Sequence, residues 1–261
     1  MSAKPVPESI EPPEEQRPYL ATNAAFYDTF WTSTRFYRSR FPNGDEASRA
    51  AIILEYLSGL AEVHDWEAHP PRLLDAGSGR GWLTNLLSAY GAAEGCEPVE
   101  GAVTTARTLF PHLTFHLATP GELAQRPGAV PFDVVVSSEV LEHVPTPLQA
   151  GFVAELAACV TPGGFVILTT PRGELQPVAG ESSAQLMENW LTEAAVRTLL
   201  TQAGLTPIRL RRAFPTRAFW LDRLWRRWRR LRPTARVDRS LPELWLDHRS
   251  SLYQIWCARR G

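Results

Sequence analysis

Apolar positions along this chain follow two alternating rhythms. Short apolar runs of strand length alternate with stretches in which apolar residues recur three or four apart. Ala51, Ile52, Leu54, Tyr56, Leu57 and Leu60 make Ala50 to Val63 an amphipathic helix, and Pro42-Asn43-Gly44-Asp45 reads as the turn that starts it. Leu73-Leu74 is the core of a first strand, and Trp82, Leu83, Leu86, Leu87 and Tyr90 form a helical pattern after it. A second strand ends at Glu97, and a helix through Val103 and Ala106 reaches about Leu109, before Pro111. Further strands are expected at Leu113 to Leu117, Phe132 to Ser138, Phe165 to Thr170, about Pro207 to Leu210, and Leu252 to Ala258. Helices are expected at about Pro147 to Cys159 and Thr192 to Ala203, the latter stopped by Gly204, while Thr161-Pro162-Gly163-Gly164 reads as a tight turn. This alternation predicts an α/β chain with a seven-stranded, mostly parallel sheet and helices on both faces. Right-handed crossovers would bring the strand C-termini to one edge, where ligands bind.

The chemistry concentrates at that edge. The run Leu73-Leu74-Asp75-Ala76-Gly77-Ser78-Gly79-Arg80-Gly81 is an apolar pair, an acid, and three glycines at alternate positions. Glycines let the backbone turn tightly and let a ligand approach without a Cβ in the way. Glu97 ends the next strand, 22 positions after Asp75, where an acid suits a two-point grip on a ribose diol. A dinucleotide fingerprint would place its third glycine one residue later. The turn with both acids resembles the class I S-adenosylmethionine (SAM)-dependent methyltransferases, whose fold is Rossmann-like. The segment Phe132 to Val144, reading FDVVVSSEVLEHV, and the later Pro162-Gly163-Gly164 resemble the ubiquinone-biosynthesis O-methyltransferase group within that family. So does Thr119-Pro120-Gly121-Glu122-Leu123-Ala124 after the third strand. The resemblance covers about Arg72 to Pro171.

The resemblance implies SAM as cofactor. Asp75, Gly77, Ser78, Gly79 and Gly81 would hold its methionine half, and Glu97 its ribose. Thr119, Pro120 and Gly121 would lie near the adenine, and Ser138 and Glu139 beside the methyl. Methyl transfer needs alignment and exclusion of water, and an alcohol or phenol acceptor also needs a base. His143 is the first candidate base, with Glu139 and Glu142 behind it. The same three residues admit another reading, a divalent cation site like that of some relatives, in which a metal lowers the acceptor's pKa. No N/D-P-P-Y segment follows the fourth strand, which argues against amino-group methylation by the family's usual device.

Composition adds three things. The chain carries 27 Lys and Arg against 28 Asp and Glu, so no global field points to nucleic acid. Cys96, Cys159 and Cys257 lack metal spacing and read as buried thiols. No signal peptide and no apolar run of bilayer length is evident, so the expected location is cytoplasmic. Residues 1–18 are rich in Pro and Glu and are expected to be a disordered tail, with a single domain over 19–261. Within it, 19–69 form an N-terminal helical cap containing the aromatic cluster Phe26, Tyr27, Phe30, Trp31, Phe36, Tyr37 and Phe41. Residues 213–249 form a basic helical insert before the last strand. From Arg217 to Arg236 there are eight Arg and one Asp, with Trp220, Leu224, Trp228 and Leu231 on one helical face. Such a helix suits an anionic membrane surface or an anionic acceptor. Tyr27, Trp31 and Trp220 are the candidate acceptor contacts. The expected activity is O-methylation of a small-molecule or lipid-like acceptor. The alternatives are an RNA 2′-O-methyltransferase that uses the Arg-rich helix, and a non-catalytic SAM-binding scaffold.

Overall fold

A computed structural model describes residues 39–176, 189–215 and 251–261. Seven strands form one sheet: β1 (Arg72–Ala76), β2 (Ala92–Glu97), β3 (Thr114–Leu117), β4 (Phe132–Ser138), β5 (Val160–Pro171), β6 (Leu205–Pro215) and β7 (Ser251–Arg260). Their order across the sheet is β3-β2-β1-β4-β5-β7-β6. The pairs from β3 to β5 are parallel, and β7 runs antiparallel to both β5 and β6. The chain thus winds outward from β1 to β3, returns, and winds the other way from β4. At that reversal, at the sheet's C-terminal edge by the loops after β1 and β4, open α/β sheets have their ligand crevice.

Among the described residues six helices cover the sheet: α1 (Gly44–His64), α2 (Trp82–Leu87), α3 (Glu100–Leu109), α4 (Pro120–Ala124), α5 (Thr146–Cys159) and α6 (Glu193–Gln202). Alternate strand residues feed two cores, as the period of two requires. Leu73, Val134, Val136, Ile167 and Ile255 pack with Ile53 and Leu57 of α1, Leu83 of α2 and Val103 of α3. Leu74, Val135, Val166, Leu168 and Trp256 face the other way, against Leu123 of α4, Leu156 of α5 and Leu200 of α6. Each fully buried aliphatic side chain contributes about 1.5–3 kcal/mol, so both helical layers are held by packing on the sheet. Cys96, Cys159 and Cys257 are free and buried. Among the described residues no helix is long and apolar enough to cross a membrane.

Three expectations change. The tight turn expected at 161–164 lies inside β5. Val160 pairs with Phe132 and Phe165 with Val134, so residues 161–164 bulge opposite Asp133 alone. Gly164 is needed there, because a Cβ would come 2.7 Å from the Asp133 carbonyl oxygen. The segment Thr119 to Ala124, where no helix is expected from the apolar spacing, carries α4. Thr119 caps it through a reciprocal capping box with Glu122, and Pro120 opens it. Finally β6 runs on to Pro215, five residues past the expected strand. It therefore includes Ala213, Phe214 and Pro215, where the basic insert was expected to begin. The strand lies at the sheet edge, and its arginines are partnered outside it: Arg209 and Arg211 with Glu55 of α1, Arg212 with Glu193 of α6. Charged side chains on an edge strand read as loop in sequence and act as protection against edge pairing in structure. The rest of the basic insert, the tail over 1–18 and the aromatic cluster from Phe26 to Tyr37 lie outside the described residues.

Candidate functional site

The glycine turn is built by its neighbours. Gly77, Gly79 and Gly81 all have positive φ, at 81°, 49° and 81°. The amides of Gly77 and Ser78 donate to the Cys96 carbonyl at 2.8 and 3.0 Å, which ties the turn to the end of β2. A Cβ on Gly77 would come 2.3 Å from Val140 Cγ2, so the segment after β4 closes directly on the turn. Asp75 is 1 % exposed, and its Oδ2 accepts the Thr84 hydroxyl at 2.6 Å. Burial pushes its carboxyl up to about 7, and hydrogen bonds from the Thr84 side chain and backbone hold back part of that rise. Glu97 accepts the Gly79 amide on Oε2 at 3.1 Å and the Val99 amide on Oε1 at 3.0 Å. Its carboxyl is also pushed up to about 7 by burial, and the Asp75 charge adds to the rise. The two acids therefore share one edge and feel each other.

A second set of side chains gathers after β4. Glu139 has a φ of 59°, a strained value for a residue with a side chain. Its amide donates to the Thr169 carbonyl at 3.1 Å. The Thr169 hydroxyl donates to Glu139 Oε1 at 2.9 Å and lies 3.0 Å from Ser138 Oγ. Arg49 Nε of α1 is 3.8 Å from Glu139 Oε1. Burial raises the Glu139 carboxyl to about 8, opposed by Arg49 and reinforced by the Glu142 charge. Glu142 is 2 % exposed and accepts the Thr170 hydroxyl at 3.0 Å. His143 ends a short 3-10 turn (Leu141–His143), with its Nε2 3.8 Å from Glu142 Oε1.

Helix α1 reaches this edge through a buried ion pair. Asn43 caps the helix in a capping box with Glu46. Both Glu46 oxygens are gripped by Arg80 of the glycine turn, at 2.8 and 2.7 Å. The Arg80 Nε also donates to the Ser39 carbonyl at 2.9 Å. The first turn of α1 is thereby fixed over the crevice.

The structure brings Asp75, Gly77, Gly79, Gly81, Glu97, Ser138, Glu139, Glu142 and His143 to one edge. Thr119 and Pro120 stand just beyond β3 on the same side, with the Thr119 hydroxyl used to cap α4. Ser78 stands in the glycine turn. Its side chain lies over Gly95, where a Cβ would come 2.8 Å from Ser78 Oγ, and so turns onto β2. The trio Glu139, Glu142 and His143 is not arranged as a metal centre. Among the described residues no three His, Cys, Asp or Glu side chains group in that way, because Glu139 turns to Thr169 and Arg49 while Glu142 turns to Thr170. Tyr27, Trp31 and Trp220 lie outside the described residues. Sequence reasoning missed Glu46, Arg49, Thr84, Thr169, Thr170 and Arg80's role. Only Asn43-x-x-Glu46 carried a local signal, the capping box.

Residues 48–210, more than half of the chain, match a family described as a methyltransferase domain. The chain belongs to that methyltransferase family. This methyltransferase domain is 33% identical over 132 residues to a ubiquinone biosynthesis O-methyltransferase of Caulobacter sp. (strain K31), across 46% of this chain and 49% of that protein. It is 40% identical over 104 residues to a protein of the same name from Aromatoleum aromaticum, across 38% and 43% of the two. The chain spans about half the length of the curated relatives it matches. Among solved structures it resembles magnesium protoporphyrin IX methyltransferase of Synechocystis PCC 6803 with bound S-adenosylhomocysteine (SAH), at TM-score 0.55 and 18% identity over 92% of this chain and 100% of that one. It also resembles a Burkholderia thailandensis 1,6-didemethyltoxoflavin-N1-methyltransferase, at TM-score 0.55 and 17% identity over 98% and 94%. At these identities the methyltransferase domain and its solved neighbours share a fold.

Proposed function

We propose that this chain binds SAM at the glycine turn and methylates an oxygen of a small-molecule acceptor. The observation that carries the reading is the pair of buried acids, Asp75 and Glu97, bracketing a turn of three positive-φ glycines at the sheet's reversal point. The donor set fits the cofactor. Each Glu97 oxygen takes one backbone N–H, which leaves each a lone pair for one hydroxyl of a ribose. Asp75 holds α2 and the turn in place through Thr84. The backbone of Gly77, Ser78, Gly79 and Gly81 borders the methionine half, Thr119 and Pro120 the adenine, and Ser138 the methyl end. The likeness to ubiquinone biosynthesis O-methyltransferases supports oxygen as the acceptor atom.

SAM supplies a methyl already activated on a sulfonium. The chain's task is to align the acceptor, exclude water and take a proton. Glu139 takes the proton from the acceptor hydroxyl. Its backbone is held in a strained turn against the glycine loop, and its carboxyl, raised to about 8, has the proton affinity a general base needs near neutral pH. Thr169, whose hydroxyl Ser138 meets in turn, holds that carboxylate's orientation. Glu142 and His143 flank it, and their charges act on it. The arginines from Arg217 to Arg236 support an acceptor met at an anionic membrane surface.

Calorimetric titration with SAM, SAH and NAD tests the cofactor, and transfer of a labelled methyl into a metabolite extract tests the reaction. Saturable binding of SAM and SAH but not NAD, with label in an extractable product, is expected. Glu139→Gln should lower turnover about 10²- to 10⁴-fold with SAH binding kept. No binding of SAM or SAH would overturn the reading. Flotation with anionic vesicles tests the membrane part; no salt-sensitive binding removes it.

A further inference from the structure

Arg49 is a buried charge at the crevice with an unpartnered donor among the described residues. It is 7 % exposed and sits one helical turn beyond Glu46, which Arg80 clamps to the glycine turn. The guanidinium lies 4.4 Å over the ring of Tyr253 on β7. Its Nε stands 3.8 Å from Glu139 Oε1, beyond hydrogen-bond range, and is buried with no hydrogen-bond partner among the described residues. The contrast with Arg80 is direct. That guanidinium, 1 % exposed, places both terminal nitrogens on Glu46 and its Nε on the Ser39 carbonyl. A buried cation that leaves donors unspent is costly to keep, and natural folds keep such groups where a ligand completes them.

We infer that Arg49 seats an oxyanion, a carboxylate or a phosphate, carried by the methyl acceptor. The Tyr253 ring covers the flat face of the guanidinium, so its in-plane N–H donors are what a ligand meets. A planar fork of donors matches the paired oxygens of a carboxylate or phosphate. Glu139, whose Oε1 stands 3.8 Å from Arg49 Nε, then faces the acceptor hydroxyl. The acceptor class narrows to hydroxyl compounds that also bear an acidic group, and a neutral alcohol or phenol is a poor acceptor. This inference rests on the methyltransferase reading of the same crevice.

The test is calorimetric, with the full chain in the presence and absence of SAH. Benzoate is compared with benzamide, and phenyl phosphate with phenol; the arms separate carboxylate from phosphate. At least one anion is expected to bind about tenfold or more tightly than its neutral partner in the wild type. Arg49→Met should cut that advantage below about twofold, and Arg49→Lys should keep part of it. The inference is overturned where neither anion outbinds its neutral partner in the wild type, including where nothing binds. It is equally overturned where the advantage survives in an Arg49→Met protein that still binds SAH. The wild-type comparison decides alone should Arg49→Met not fold. Failure of the wild type to bind SAH strikes the methyltransferase reading instead, and the anion preference is then read without SAH.

Discussion

Asp75 shows how a single buried acid trades stability for a site. Its carboxyl is raised from an ordinary 3.8 to about 7 by burial, so the folded state holds its proton more tightly than the unfolded one. The sign follows by linkage: the proton's stabilisation is full below about pH 4 and is lost as pH rises through about 7. Asp75→Asn keeps partners for the Thr84 hydroxyl and amide but carries no charge. We expect it to raise the melting temperature of the ligand-free protein at pH 8 and to raise it by less at pH 5. Calorimetry at the two pH values checks this; an equal loss at both would show that the carboxyl's shape and hydrogen bonds, and not its charge, decide its effect on folding. Gly77 is limited by shape instead. Gly77→Ala adds a Cβ 2.3 Å from Val140 Cγ2 at a φ of 81°, and should cost about 1–3 kcal/mol in denaturant unfolding. Val140→Ala in the same chain should return the steric part only, leaving the φ penalty. Both Asp75 and Gly77 were legible in the sequence, because a strand-end acid and a glycine are marked by position. Their partners were not. Thr84 meets Asp75 across the glycine turn and Val140 meets Gly77 from the segment after β4, and a hydroxyl or a methyl carries no local sign of that meeting.

Helix α1 was legible as a helix, and its placement was not. Its apolar spacing and the Asn43 start define the element, and burial of Ile52, Ile53 and Leu57 explains why it packs. What aims it at the crevice is the Arg80–Glu46 pair, with side chains 1 % and 12 % exposed. Removing one member of a buried pair strands the other, at about 3–5 kcal/mol, while removing both is milder. Arg80→Met should therefore destabilise the fold by that order, and Arg80→Met with Glu46→Leu by clearly less. Hydrogen exchange over residues 44–57 reads the element directly. Protection lost there first, with β1 and β4 still protected, is expected of Arg80→Met; uniform loss across the sheet would show that the pair supports the core and not the aim of α1. The same logic explains β6. Its length was underread because Arg209, Arg211 and Arg212 look like loop residues, yet Glu55 and Glu193 from two helices receive them. An edge strand's polarity is decided by what lies beside it, which a strand's own sequence does not record.

At the scale of the whole molecule, the sheet order concentrates charge at one edge. The reversal between β1 and β4 puts Asp75, Glu97 and Glu139 around a single crevice, and burial raises all three, to about 7, 7 and 8. Glu94 and Glu193 go the other way: hydrogen bonds and ion pairs with His116 and Arg72, and with Arg212 and Arg172, lower them against desolvation. Their stabilisation is present above their ordinary values and lost only as pH falls below them. The two groups together place the stability maximum of the ligand-free protein on the acid side of neutrality, with a decline from about pH 5 to pH 8. A ligand changes this balance through Glu97. That carboxylate is already stripped of water, so a ribose adds hydrogen-bond donors without adding desolvation, and donors favour the ionised form. Binding SAH should therefore release protons between about pH 5.5 and 7. Titrations in buffers of different ionisation enthalpy count those protons. A net release that disappears in Glu97→Gln is expected, with affinity reduced about tenfold to a hundredfold because the glutamine amide would face a backbone N–H. Proton uptake, or release undiminished in Glu97→Gln, would mean that the ribose grip lies elsewhere on this edge.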